Sequence, residues 1–288
     1  ASGEAGFRRR PGARPRDLLL GFEALLADGT TVKAGGRVVK NVSGYEITKL
    51  LVGSRGTLAL ITRAHLRLRP LPETLLTLWV SFAGPGEISG AVSRLRGEAV
   101  EPQWMAVTDP SFGAVGSLEV WALWLRFEGL EEEVRWEAEK SRRILAPCEG
   151  LRAMESWDPG DSERRWQRLR DFPDPREHCA FAMVVRGQVV PSRALQLARS
   201  WQGIGPLVAY PDVGCVYVRS DDPSAYSRLL REARILGANA VLESGPPELK
   251  KEVDVFGESP GGFELMRKIK QTLDPKRVFS PGRFVGRL

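Results

Sequence analysis

The stretch 35–62, GGRVVKNVSGYEITKLLVGSRGTLALIT, constrains this chain more than any other. It carries five glycines: a pair at Gly35 and Gly36, a single Gly44, and a spaced pair at Gly53 and Gly56. Glycine admits backbone conformations closed to other residues and lets a ligand approach the main chain. The residues between the clusters are apolar or amphipathic. The pattern predicts turns brought close to something flat or phosphorylated, held by a short helix over 46–52 and a strand over 58–69. In that strand Leu58, Leu60, Thr62, Ala64, Leu66 and Leu68 share one parity and Arg63, Arg67 and Arg69 the other. Such alternation predicts one drier and one wetter face.

The 288 residues suffice for two domains with separate cores. A hydrophobic share of 42% and a charged share of 27% are those of a soluble globular protein. No apolar run approaches the roughly 20 residues of a membrane span, and no signal peptide is read. Ala1 rather than Met opens the chain, so the natural start is expected upstream. The net charge of +6 is dominated by arginine, with Arg8, Arg9 and Arg10 in a row. No nucleic-acid motif accompanies them, and a solvated loop is the plainer reading. Cys148, Cys179 and Cys215 lack CxxC spacing, and His65 and His178 lack ligand spacing, which argues against a disulfide framework or a metal centre. Buried free thiols and a cytoplasmic compartment are expected.

Along the chain, Asp28-Gly29 between two β-type runs predicts a hairpin. From residue 74 the pattern changes to strands at 74–83, 104–107, 118–129, 179–187 and 238–244, with a strand pair around Pro211-Asp212. Helices are read at 88–96, 130–147, 163–172, 191–201 and 223–237, the last ended by Gly237. Strands in sets with interspersed helices predict an α+β sandwich, an antiparallel sheet on helices with a ferredoxin-like βαβ pair. Residues 245–262 read as a polar linker and 263–273 as a final helix. No short-period repeat is visible.

Two segments carry candidate chemistry. Gly53-Ser54-Arg55-Gly56-Thr57 would expose backbone N–H groups to a dinucleotide, although a tight structural turn explains it as well. Lys40, Asn41 and Tyr45 supply a charge, a two-way hydrogen-bonder and an aromatic ring around Gly44, suited to the edge of a planar heterocycle. A solvated loop with Tyr45 capping the core is the alternative. No nucleophile elbow occurs, and no catalytic base is identified. Glu131, Glu132 and Glu133 read as a helix start.

The segment GGRVVKNVSGYEITKLLVGSRGTLALITRAHLRLRPLPE resembles the second half of the FAD-binding domain of the vanillyl-alcohol-oxidase (PCMH) type. Within that superfamily it is most similar to the FAD-binding E subunit of bacterial glycolate oxidase. The matching pattern is a GG-x-V-x-KN-x-x-GY-[DE] loop followed by GS-x-GTL. At the other end LDPKRVFSPGRF resembles the family's closing Asp-Pro…Asn-Pro-Gly motif. The resemblance implies residues 1–72 as the second lobe of the FAD-binding domain, 73–255 as an α+β, ferredoxin-like cap domain, and 256–288 as a helix and tail returning to the first.

It further implies Ser2 and Gly3 beside the flavin, and Lys40, Asn41, Gly44 and Tyr45 in the loop along the isoalloxazine. Gly53, Ser54, Gly56 and Thr57 would form the turn on FAD, Leu60 and Ile61 would offer backbone groups, and Ser280 to Arg283 would close over the cofactor. The chain departs from the family in Ala59, where glycine is usual, and in Ser280, where asparagine is usual. The family's phosphate-gripping N-terminal lobe is expected before Ala1. The histidine-rich motif of the catalytic subunits has no counterpart around His65 or His178. The implied role is the FAD subunit of a complex oxidising glycolate to glyoxylate, with a catalytic flavoprotein subunit and an iron–sulfur subunit as partners. A small 2-hydroxy acid is the substrate, no metal or nucleic acid is bound, and the membrane is met only through partners at the inner membrane. The alternative is a structural subunit of that complex with a degenerate or incomplete flavin site.

Overall fold

The computed structural model describes residues 14–36, 48–112, 120–174 and 182–288. Ser2, Gly3, Lys40, Asn41, Gly44, Tyr45, His178 and Cys179 lie outside them. The chain divides into two compact units, one of Ala1–Pro70 with Val253–Leu288 and one of Leu71–Glu252.

The first unit opens with a single helical turn, α1 (Pro15–Leu18), inside the segment expected as loop. Strands β1 (Leu19–Leu25) and β2 (Thr31–Gly35) form the hairpin that Asp28-Gly29 predicts. Gly29 sits at φ +87° and the Asp28 carboxylate accepts the Thr30 N–H, both suited to a tight reversal. Helix α2 (Thr48–Leu51) leads through the glycine turn into β3 (Leu60–Leu66), which pairs antiparallel with β1 in the order β2-β1-β3. Phe22, Ala24, Leu51, Leu58 and Ala59 form the core, and Ile269 and Leu273 of helix α9 (Phe263–Leu273) pack against it.

The predicted face of β3 does not materialise. A bulge sets Thr62 opposite the Glu23–Ala24 step, so Ile61 rather than Thr62 faces Ala24. The parity therefore flips partway along the strand. Ile61 packs on the core while Leu60 and Leu66 are exposed. On the other face Glu23 bridges Lys33 and Arg63.

The second unit is a sheet of eight strands. In order along the chain they are β4 (Thr74–Phe82), β5 (Trp104–Thr108), β6 (Trp121–Gly129), β7 (Leu151–Trp157), β8 (Met183–Gln188), β9 (Leu207–Tyr210), β10 (Cys215–Ser220) and β11 (Asn239–Ser244). The helices are α3 (Pro85–Gly97), α4 (Glu131–Leu145), α5 (Pro159–Asp171), α6 (Ala194–Ser200), α7 (Ala225–Ile235) and α8 (Pro247–Glu252). The spatial order β11-β8-β10-β9-β5-β6-β4-β7 resolves into two copies of one motif. Each is β-α-β-β-α-β with its strands in the order four-one-three-two, the ferredoxin-like arrangement. The copies meet where β5 pairs β9 antiparallel. There the buried Asp109 carboxylate accepts the Leu207 N–H at 2.8 Å, and burial pushes its carboxyl above the ordinary aspartate value.

Two elements depart from the sequence reading. β7 is an edge strand of mixed exposure without clean alternation, so its pattern carries no strand signal. The Pro246-Pro247 region, expected as linker, starts the short α8.

One face of the sheet is apolar. Leu78, Val80, Leu123, Leu125, Val185, Val216 and Val218 are buried there, with Ile88, Val92, Leu197 and Ala198 from the helices. The opposite face carries Trp79, Trp124, Trp157 and Thr77, over which α5 lies. The Trp166 indole of α5 donates to the Thr77 hydroxyl at 2.7 Å. Two arginines from corresponding strands secure the helix ends. Arg126 of β6 bonds Glu163 in its first half, and Arg219 of β10 donates to the carbonyls of Asp171 and Phe172 at its C-terminus. A cation there meets the negative end of the helix dipole. Burial pulls the Arg219 guanidinium down to about 10, opposed by nearby Asp174. Of the tryptophans expected in the core or at contacts, Trp104, Trp121 and Trp124 are buried and Trp136 is exposed.

The second copy depends on close helix packing over a bare strand residue. A Cβ at Gly187 would stand 2.6 Å from atoms of Leu197 and Trp201, both fully buried. Gly187→Ala should lower the unfolding free energy by about 1–3 kcal/mol, read from a denaturant titration, because the overpacked side chains have no room to retreat.

Candidate functional site

The glycine turn links α2 to β3 in the first unit. Gly53 and Gly56 adopt φ +92° and +75°, and Arg55 between them is also left-handed at +52°. Among the described residues nothing lies within 4 Å of a Cβ built on Gly53, which leaves its backbone open on their side. Ser54 and Thr57 are buried, and their hydroxyls donate to the carbonyls of Leu51 (2.9 Å) and Ser54 (2.7 Å). Those protons are used within the turn, so the two residues shape it.

The LDPKRVFSPGRF segment folds onto the same turn. Ser280 is left-handed at φ +39°, and its hydroxyl oxygen lies 3.5 Å from where a Cβ of Gly56 would sit. Non-glycine residues in this region carry backbone strain, which asparagine tolerates better than serine. Leu60 and Ile61 stand at the start of β3, next along the chain.

The residue that joins these pieces was not singled out by the sequence. Lys270 of α9 is 3% exposed and donates to the Thr57 carbonyl at 2.7 Å, to Asp274 Oδ2 at 2.5 Å and to the Phe279 carbonyl at 3.0 Å. All three ammonium protons are engaged. Asp274 is fully buried, and besides Lys270 it accepts the N–H groups of Val278 and Phe279, both at 2.8 Å. Burial alone would push the Asp274 carboxyl up. The Lys270 ammonium and the two backbone donors outweigh it and hold the group below the ordinary aspartate value. An i,i+4 Lys–Asp pair on a helix reads as a surface pair. Its burial follows from a carbonyl 213 residues away in sequence.

Beside the turn is a cavity of about 180 Å³, lined by Leu50, Gly53, Ser54, Met266, Lys270 and Phe284 among others. It is smaller than the roughly 300–1,000 Å³ of a complete small-molecule site. The open backbone at Gly53 and Gly282, and the Ser280 hydroxyl, which makes no hydrogen bond among the described residues, fit one wall of a site for a flat cofactor. Among the described residues no group of acidic, Cys or His side chains is placed to hold a metal ion, and no helix is long and apolar enough to cross a membrane. Cys215 is buried and Cys148 half-buried, neither in a disulfide with a described residue, and His65 is half-buried on β3.

Residues 251–284 match the family described as FAD linked oxidases, C-terminal domain. That span contains α9, Lys270, Asp274 and Ser280. The chain is 22% identical over 298 residues to glycolate oxidase subunit GlcD of Bacillus subtilis, covering 93% of this chain and 63% of the relative. It is 27% identical to the D-lactate dehydrogenase of Archaeoglobus fulgidus (100% and 69% covered) and 27% identical to glycolate oxidase subunit GlcE of Escherichia coli (100% and 71%). Thus the chain spans about two thirds of the length of these relatives. Among solved structures, p-cresol methylhydroxylase superposes with a TM-score of 0.70 at 15% identity, over 98% of this chain and 67% of that one. An alkyldihydroxyacetonephosphate synthase gives 0.60 at 18% identity, over 96% and 55%. These likenesses carry the fold, an α+β architecture of the PCMH type.

The clamp has a pH signature. Asp274 has a folded pKa below its unfolded value, so its contribution to stability is full above the unfolded value of about 4 and is lost as pH falls through the lower, folded one. Acid titration of wild type should show this loss below pH 4. Asp274→Asn should abolish that component and, by leaving the Lys270 charge buried without its partner, cost about 3–5 kcal/mol at pH 7.

Proposed function

We propose, for a chain whose residues 251–284 match the C-terminal domain of FAD linked oxidases and whose fold is like that of p-cresol methylhydroxylase, the role of a flavin-binding subunit in the oxidation of a 2-hydroxy acid. FAD is the cofactor that the matched domain and the relatives support. The observation that carries the reading is the Lys270 ammonium. It ties the turn at Thr57 to Phe279, next to Ser280, so that both segments read from the sequence as cofactor-binding form one surface.

When bound, FAD supplies the hydride acceptor for oxidation at a hydroxyl-bearing carbon. The chain's own residues bind and orient. Gly53 and Gly56 present bare backbone, Ser54 and Thr57 fix the turn, and Ser280 offers its hydroxyl from the opposite segment. Lys270, with every proton engaged, positions both segments and touches no ligand. Ser2, Gly3, Lys40, Asn41, Gly44 and Tyr45 are proposed for the remaining contacts, with backbone groups of Leu60 and Ile61. Glycolate, oxidised to glyoxylate, is the substrate we favour, because glycolate oxidase subunits of both kinds are among the relatives. D-lactate is the nearest competitor. The same relatives support a multi-subunit assembly, for which we propose a second flavoprotein subunit and an iron–sulfur subunit as partners.

The gene product purified with its partners should show a flavin absorbance spectrum. Lys270→Met should weaken FAD retention by about tenfold or more, roughly 1.4 kcal/mol. Colourless wild-type protein that takes up no FAD would overturn the reading and leave a structural subunit in its place.

A further inference from the structure

The chain re-enters the first unit at Val253, and the next residue, Asp254, makes a second clasp there, separate from the Lys270–Asp274 pair. Its Oδ1 accepts the Phe256 N–H at 2.9 Å and its Oδ2 the Gly286 N–H at 2.7 Å. One carboxylate thus joins segments 32 residues apart in sequence. The Phe256 ring lies edge-on to Phe284, with centroids 5.5 Å apart, and the Arg55 guanidinium of the glycine turn stands over it at 5.4 Å. The turn, the re-entering segment and the closing segment all meet at this ring.

Residues 284–288 run along the cavity beside the glycine turn. Phe284 and Leu288 contribute to its lining, with Leu50, Gly53, Met266 and Ile269. Val285 and Leu288 are buried, while Gly286 and Arg287 between them are exposed. The backbone is left-handed at Gly286 (φ +61°) and Arg287 (φ +57°). Arginine is strained in that region, so contacts must impose this shape. A Cβ at Gly286 would stand 2.3 Å from the Phe263 ring, which sets the segment flat against the start of α9.

Two kinds of hydrogen bond hold the segment. Arg287 N–H donates to the Phe284 carbonyl and Leu288 N–H to that of Val285, a single 3₁₀ turn that stays intact when the segment moves as a piece. The bond to Asp254, and that from Arg277 Nη2 to the Arg287 carbonyl at 3.0 Å, tie it to its surroundings. Few such ties hold a strained piece of chain whose apolar side chains line a cavity of about 180 Å³. Moving Phe284 and Leu288 aside enlarges that cavity towards the size of a small-molecule site.

We propose that residues 284–288 are a strap latched by Asp254, and that its release opens the apolar cavity beside the glycine turn to the flat ring of the cofactor. The proposal rests on the flavin reading above. Asp254 is a positioning residue and touches no ligand; it sets how fast the cofactor enters and leaves.

The full-length protein, purified with its partners and stripped of flavin, is mixed with FAD, and uptake and release are followed by flavin fluorescence. Asp254→Ala should raise both rates by about tenfold or more, as loss of a hydrogen bond to a charged acceptor allows, and leave the Kd within about threefold. In the flavin-free protein, amides of 284–288 should exchange faster in the variant, with those of the β1–β3 sheet unchanged. Asp254→Asn keeps one acceptor oxygen and should fall between; if the alanine variant fails to fold, the asparagine variant decides. A folded variant with wild-type exchange at 284–288, or one that speeds release alone and weakens the Kd in proportion, would overturn the strap while leaving the functional reading intact. Wild type that takes up no FAD would overturn the reading on which the strap depends.

Discussion

The first unit depends on one buried ion pair. Lys270 and Asp274 stand one turn apart near the end of α9, and neither is in contact with bulk water to any extent. A pair withdrawn from solvent is stabilising only when the remaining protons and lone pairs find partners. Here the backbone supplies them: carbonyls of Thr57 and Phe279 for the ammonium, N–H groups of Val278 and Phe279 for the carboxylate. The pair therefore specifies where the glycine turn and the closing segment lie relative to α9. The left-handed backbone at Arg55 and Ser280 is the local cost of bringing them together.

The second unit solves a different problem. A sheet of eight strands needs cover on both faces, and two ferredoxin-like copies side by side provide helices for only one of them. On the other face α5, inserted between the copies, covers the tryptophan cluster of the first. Arg126 and Arg219 come from corresponding strands of the two copies, so a duplicated architecture supplies both anchors of a helix that is not itself duplicated.

Much of this was legible in the sequence, and the exceptions have physical causes. Asp28-Gly29, the helix at 263–273 and the strand at 74–83 are local signals, and each is found where the pattern places it, the strand one residue shorter at Thr74–Phe82. The α+β class follows from the alternation of strands and helices. The duplication was illegible because the two copies share strand order and apolar parity without a repeated motif. The drier face assigned to Leu60 and Leu66 is absent: Ile61 packs on the core instead, set opposite Ala24 by the extra residue at Thr62, which period-two reasoning has no way to count. Of the candidate cofactor residues, Gly56 and Ser280 are brought together from opposite ends of the chain, while Ser54 and Thr57 prove to direct their hydroxyl protons inward. Lys270 was missed because spacing alone cannot tell a buried i,i+4 pair from a solvated one.

The central claim is that the Lys270–Asp274 pair makes one surface of two distant segments. Hydrogen–deuterium exchange on Lys270→Met tests it most directly. Amides of residues 54–58 and of 278–283 should lose protection together, with the β8–β10 ladder unchanged. Wild-type protection at the glycine turn in a folded variant lacking the lysine would contradict the account.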